Sequence, residues 1–310
     1  MKPLFALLVA LLPSVASACD VCGIFLGVQP NDRSSSIALL YRYRHLEGAV
    51  GSPGLAKHGG HGAAAPGAVY RELYQVAELR AELWLTERFS AMAALPTVNN
   101  YQAVGGIIRA DVYGMGDPLL LARYLVANTR CTTNDERTVH RLLLGAGAKL
   151  PLGRRDLVYR DDEVARDLQP GTGTWDALLS AEYSVRRLRN GASLTAIGRI
   201  NGTDADAARM GHGLSTTVEA FRRYDLNDNL KLMPSLGLYH ELSGKDAQSG
   251  EAVAGTGSST LFTHAAARVW WRSWAFMGIF QYAVARQLGE LMVPNRERVI
   301  LGLTYNLKRT

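Results

Sequence analysis

Past its first twenty residues the chain has no apolar run of the ~18 residues that a membrane-crossing helix requires, which excludes helical spans. Runs of basic charge are also missing. The formal charge is +6, but lysine and arginine are scattered singly through the chain and no recognition helix appears, so nucleic acid is excluded as a partner. Cysteine is scarce, with three residues in all, too few for a disulfide framework or a four-cysteine zinc site. Charged residues make up only 20% of the chain and mean hydropathy is −0.03. That balance suits a soluble domain. It suits equally a membrane β-barrel, in which lipid-facing apolar residues alternate with polar lumen residues.

What is present begins with an export signal. Lys2 supplies the positive start, residues 4–12 the apolar stretch, and Ala16-Ser17-Ala18 the small-residue cleavage pattern. Residues 1–18 are therefore expected to be removed, leaving Cys19 first. Lipid attachment at that cysteine usually wants leucine three positions earlier, where Ala16 stands.

Beyond the signal, the chain divides into segments with period-two alternation separated by turn residues. In 298–307 one parity carries Val299, Leu301, Leu303, Tyr305 and Leu307, and the other Arg298, Ile300, Gly302, Thr304 and Asn306. In 71–86, Leu73, Ala77, Leu79, Ala81, Leu83 and Leu85 oppose Glu72, Glu78, Arg80 and Glu82. Twelve strands are expected, at 35–47, 71–86, 88–98, 116–129, 137–151, 174–188, 191–202, 212–224, 229–243, 260–272, 274–287 and 297–307. Most are long enough to cross a bilayer at a tilt, whereas soluble strands average about five or six residues. Asn190-Gly191 reads as a hairpin signal between the sixth and seventh.

The connections test this division independently. Odd-to-even connections are 48–70, 99–115, 152–173, 203–211, 244–259 and 288–296, and all are long. Even-to-odd connections are residue 87, 130–136, 189–190, 225–228 and residue 273, and these are short. Long loops on one side and tight turns on the other are the habit of outer-membrane barrels, with the turns in the periplasm. The fold expected is all-β, a transmembrane antiparallel up-and-down barrel of about twelve strands over 35–307. It would lie in the lipid bilayer of the bacterial outer membrane. Residues 19–34 would form a periplasmic segment or plug, and 308–310 a tail. Barrels of this kind often end on an aromatic residue, but here Lys308-Arg309-Thr310 follow Leu307.

If the apolar parity faces lipid, many charges point inward. They include Arg42, Arg44, Glu78, Arg80, Glu82, Arg123, Arg141, Lys149, Asp176, Glu182, Arg186, Arg199, Glu219, Arg223, Lys231, Glu241, Arg268 and Arg272. An arginine or lysine held against hydrocarbon at mid-depth costs about 2–4 kcal/mol. Two readings stay open: an ion-pair network that stiffens the wall, or a cation-rich lining for anionic solutes. The residues expected to line the path are Arg42, Arg44, Arg80, Arg123, Arg141, Glu182, Arg186 and Arg268. Tyr41, Tyr43, Trp175, Trp271 and Trp274 fall near segment ends, where aromatic rings suit the headgroup boundary.

Local chemistry is sparse. Cys19-Asp20-Val21-Cys22-Gly23 could close a disulfide, hold a soft metal or exchange thiols, and Gly23 stands where a covalent haem site needs histidine. Cys131 falls in an expected periplasmic turn. His58 and His61 lie in a glycine-rich loop and could chelate copper, nickel or zinc weakly. No cofactor is expected otherwise; copper or zinc would be the metal at Cys19, Cys22, His58 and His61. His212 and Ser215 superficially pair a base with a nucleophile, but three-residue spacing on a strand sends them to opposite faces, so no enzyme is expected. Gly145-Ala146-Gly147 has no helix after it and is not a phosphate loop.

Three stretches together resemble the outer-membrane transporter family named for the meta-pathway of phenol degradation. They are Gly114-Met115-Gly116-Asp117 leading into 119–124, 144–153 with Gly147, Lys149, Pro151 and Gly153, and Gln169-Pro170-Gly171-Thr172-Gly173-Thr174-Trp175-Asp176. The family pattern is similar in order and spacing, most specifically over 114–187. The resemblance implies a conduit for small, often aromatic or hydrophobic compounds, related to fatty-acid-transporter barrels, with no catalytic residues. The cysteine pair and the histidine loop lie outside that pattern. The reading is a channel or transporter for small organic solutes, whether aromatic, hydrophobic or anionic. A metal-handling surface protein and a closed structural barrel are the alternatives.

Overall fold

The computed structural model describes residues 34–50, 68–129 and 138–307. The signal peptide, Cys19, Cys22, His58, His61, Cys131 and the tail 308–310 lie outside these residues.

Twelve antiparallel strands close into one barrel. In chain order they are β1 (Ser36–Ala49), β2 (Val69–Trp84), β3 (Phe89–Val104), β4 (Leu119–Asn128), β5 (Thr138–Lys149) and β6 (Asp176–Arg187). They continue as β7 (Asn190–Ile200), β8 (Gly213–Arg222), β9 (Leu230–Ser243), β10 (Ser258–Trp271), β11 (Trp274–Leu288) and β12 (Asn295–Asn306). Each strand pairs with the next, and β12 returns to β1 from Ser36 opposite Asn306 up to Leu46 opposite Asn295. Closure leaves no unpaired edge in the wall, which is what hydrocarbon demands of a sheet.

The wall is inverted relative to a soluble sandwich. Along β2, Leu79 is 54% exposed while its neighbour Glu78 is 0% exposed. Along β9, Leu236 is 70% exposed while Ser235 and Glu241 are buried. Large apolar side chains on the outside and charges on the inside are stable only with lipid around them. Phe89, Tyr124, Tyr224, Trp271, Trp274 and Tyr305 are exposed close to the short-turn end, where they form an aromatic girdle.

The expected strands are all found, with boundaries adjusted by local chemistry. β3 runs on to Val104 instead of stopping at 98, and its upper half pairs with an added strand, Ile107–Met115, through a turn at Gly105 and Gly106. Both glycines have positive φ, 57° and 83°, which side chains resist. The connection expected to be an open loop at 99–115 is thus a hairpin. β4 starts at Leu119 rather than 116, because Gly116-Asp117-Pro118 leave the ladder. The turn between β6 and β7 is Leu188-Arg189, not Asn190-Gly191. Asn190 is already paired with Arg187, and Leu188 takes the positive φ of 53°.

At the loop end, connecting segments fold over part of the rim. Val164 and Leu168 of the loop between β5 and β6, and Val293 before β12, pack on Leu46, Tyr74 and Val112. Asn100 Nδ2 donates to the Leu168 carbonyl at 2.8 Å. Gln169 staples this loop to itself, donating to the Leu157 and Val164 carbonyls at 2.8 and 3.1 Å. Arg166 joins it to the next loop through Asp204 at 2.8 Å.

Candidate functional site: the barrel lumen

Alternation along each strand carries the charged side chains inward, and register then decides which of them meet. Glu78 on β2 sits between two guanidinium groups. It accepts from Arg80 Nε at 2.8 Å and from Arg42 Nη2, reaching across from β1, at 2.9 Å. Arg123 on β4 binds Glu82 on β2 and lies 3.8 Å from Glu182 on β6, whose other oxygen accepts from Arg141 on β5 at 2.7 Å. Arg123, Glu82, Glu182 and Arg141 link β2, β4, β5 and β6 in one charge-neutral band.

The opposite wall holds two further clusters. Arg268 on β10 grips Glu219 on β8 with both terminal nitrogens, at 3.1 and 3.0 Å. Ser235 donates to the same carboxylate at 2.6 Å, and His264 Nε2 stands 3.6 Å away. Gln281 meets His264 Nδ1 at 3.0 Å. Arg298 on β12 pairs with Glu241, and its guanidinium lies over the rings of Tyr239 and Phe262 at 5.4 and 4.5 Å. Arg44 Nε donates to Asn295 Oδ1 at 2.7 Å and its guanidinium covers the Tyr74 ring. A forked guanidinium suits such shared, bidentate pairing better than an ammonium would.

Most of the expected lining residues therefore do point inward, and as partners of acids rather than as a row of unopposed cations. Of these residues Arg186 differs, and of the wider inward set so do Arg223, Lys231 and Arg272. Arg186 donates to the Leu188 carbonyl beside its own turn, and Arg223 pairs with Asp225 at the turn end. Lys231 and Arg272 are exposed there, Arg272 in the turn itself. Buried acids that the charge list omitted, Glu72 and Asp117, also face inward. The excess of arginine over acid seen in the sequence shrinks accordingly. Asp117 stood inside the expected strand 116–129 on the parity of Arg123, yet the structure places it in the connection just before β4. The signal that could have found it was its place in the Gly-x-Gly-Asp motif.

That motif acquires a physical meaning at the loop end. Lys149, buried at the top of β5, donates to Asp117 Oδ2 at 2.7 Å and lies 3.0 Å from Asp176 Oδ2. Thr172 donates to Asp117 through its backbone N–H at 2.8 Å, and Gly153 N–H donates to the other Asp117 oxygen at 2.9 Å. Thr174 donates to Asp176 at 2.7 Å. Gly153 and Gly171 stack backbone on backbone, so a Cβ on Gly171 would stand 2.5 Å from the Gly153 carbonyl carbon. The three stretches that carry the family resemblance thus converge on one buried knot, which ties the capping loop to the barrel at both its ends.

No hydrolytic pair is assembled at 212–215. His212 lies in the loop before β8, where its Nδ1 accepts from the Asn201 backbone N–H at 3.1 Å, while Ser215 faces the lumen. Burial, and then the Arg209 guanidinium, hold this imidazole below its ordinary value of 6.5. Among the described residues, no group of three or more His, Cys, Asp or Glu side chains is arranged to hold a metal.

No protein-family model and no curated protein matches the chain. Among solved structures it is similar to the COG4313 outer membrane channel from Pseudomonas putida F1. The identity is 17%, over 91% of this chain and 100% of that one, with a TM-score of 0.60. It is less similar to the beta domain of the Bordetella autotransporter BrkA, at 14% identity over 89% and 100% with a TM-score of 0.49. A FadL homologue from Pseudomonas aeruginosa follows, at 10% identity over 89% and 91% with a TM-score of 0.35. Identities this low speak to fold alone. With its lipid-facing outer wall and charged interior, this closed twelve-strand barrel is a protein of the bacterial outer membrane.

Proposed function

We propose that the barrel is a channel for small organic solutes, anionic ones included. The observation that carries this reading is the polar interior of a closed wall that shows no catalytic arrangement among the described residues. Arg123 and Arg268 are buried and Arg42 is partly buried, and each directs terminal nitrogens at a carboxylate. Their neutralising acids keep the lumen from binding an anion too tightly to release it.

The test is solute flux through the refolded mature protein in liposomes, with aromatic acids, fatty acids, and copper or zinc ions run in parallel. Selective flux of an organic solute that changes in Arg80→Gln or Arg123→Gln supports the reading. Flux unchanged in both variants removes these arginines from the path. No flux of any solute sinks the channel itself and favours a closed structural barrel.

A further inference from the structure

Arginine gathers at the turn end of the outer wall, on the arc from β6 to β8. The alternation that turns Leu179, Leu194 and Val218 to lipid also turns Arg187, Asn190 and Arg222 outward, and all three are exposed. Register sets them in one row, since Asn190 pairs with Arg187 on one side and with Arg222 on the other. Neighbouring strands lie about 4.8 Å apart, so the two arginine backbones stand about 10 Å apart with an amide side chain between them. Arg189 joins them from the turn, where its carbonyl accepts from the Arg223 N–H at 2.7 Å.

Nothing on the wall neutralises this row. The outward faces of β6, β7 and β8 carry no acid. Asp225, just past β8, is held by Arg223 at 3.1 Å. Among the described residues no carboxylate pairs with Arg187, Arg189 or Arg222. Arg222 instead sets its guanidinium over the ring of the girdle residue Tyr224 at 5.4 Å, a contact that still leaves N–H donors for an anion. One row further into the membrane the chemistry changes. Val185, Ala192 and Ala220 lie side by side there, followed by Tyr183, Leu194 and Val218. Charge therefore gives way to a small apolar seat within a single row.

We infer that Arg187, Asn190 and Arg222 hold the phosphate of an anionic phospholipid in the inner leaflet, with its chains running over Ala192 and Ala220. The turn end of such a barrel faces the periplasm, which puts the row at headgroup depth beside the aromatic girdle. Guanidinium forks bind phosphate oxygens in a bidentate way, and the Asn190 amide adds a donor between them. A zwitterionic headgroup brings its own ammonium, which these unneutralised arginines repel. A lipid without that ammonium meets the charge uncompensated. An acidic protein segment would match the arginines but not the apolar seat directly beside them. The site stands on the outer wall, so it is independent of whether the lumen conducts.

The experiment measures lipid selectivity of the refolded mature barrel in phosphatidylcholine vesicles. Trace spin-labelled phosphatidylglycerol or phosphatidylcholine is added, and the immobilised fraction is read by electron paramagnetic resonance. Expected is a several-fold preference for phosphatidylglycerol that weakens as salt rises. Arg187→Gln combined with Arg222→Gln should bring the two lipids close to parity, and each single variant should lose part of the preference. Arg109→Gln, the same change of charge at an exposed site near the loop end, should leave it intact. Equal immobilisation of both lipids by the parent overturns the site and leaves the row to an acidic protein segment. A preference that survives the double variant, or that falls as far in Arg109→Gln, overturns it as well. Because the parent's own ratio and the single variants each report, the test stands even if the double variant does not refold.

Discussion

Replacing Lys149 by methionine tests whether the knot at the loop end holds the barrel and its cap together. The side chain is 1% exposed and its ammonium lies between Asp117 and Asp176, at 2.7 and 3.0 Å. Methionine fills nearly the same volume, so the change removes charge while leaving little cavity. Two buried carboxylates then lose the cation that stands between them. Removing one partner from a buried ion pair costs about 3–5 kcal/mol. Asp117 keeps donors from Gly153 and Thr172, and Asp176 keeps them from Thr174 and Gly202, so the lower end applies. A loss of about 3 kcal/mol is roughly two decades in the folding equilibrium. Urea unfolding of the refolded barrel in lipid vesicles, followed by tryptophan fluorescence, reads that loss as a lowered midpoint at unchanged slope. The triple variant with Asp117→Asn and Asp176→Asn should recover part of it, because no uncompensated charge remains. A loss below about 1 kcal/mol for Lys149→Met, or a triple variant weaker than the single one, refutes the reasoning.

Three other outcomes are expected. Gly171→Val should loosen the capping loop, since its Cβ would stand 2.5 Å from the Gly153 backbone, and overpacking of this kind costs about 1–3 kcal/mol; protease nicking between 150 and 175 at least several-fold faster than in the parent is the readout. Leu236→Arg places a charge midway along the lipid face of β9 and should cost about 2–4 kcal/mol in vesicles, whereas a change under 1 kcal/mol would show that this face does not meet hydrocarbon. The loop carrying His212 should lose order in acid: its folded pKa lies below 6.5, so the neutral ring's contribution is complete above that value and disappears as pH falls through the folded one. Amide exchange at Asn201, corrected for its intrinsic pH dependence, should quicken over that interval in the parent and stay flat in His212→Gln.

Much of this molecule was legible in the chain because a strand's side-chain period is fixed. Glu78 and Leu79 had to face opposite ways, and only one assignment kept the charges off lipid. Strand number, the alternation of long and short connections, and the inward set followed from that period and from turn residues. Turn details did not. Asn190-Gly191 carries the stronger local hairpin preference, yet pairing with β5 and β8 sets the register and moves the turn to Leu188-Arg189. Which charges meet was also invisible, since Arg123 reaches Glu82 and Glu182 only across strands whose register no local pattern specifies. Asp117, Lys149, Thr172 and Asp176 stood in the chain as three separate motif fragments. Closing the barrel brings their ends to one rim and makes them a single buried knot. Alternation alone told which residues face inward. Only the closed barrel decided which of those residues end fully buried, as Glu78 and Thr260 do, and which keep some exposure, as Arg42 and Ser215 do, because that depends on what faces each of them from other strands.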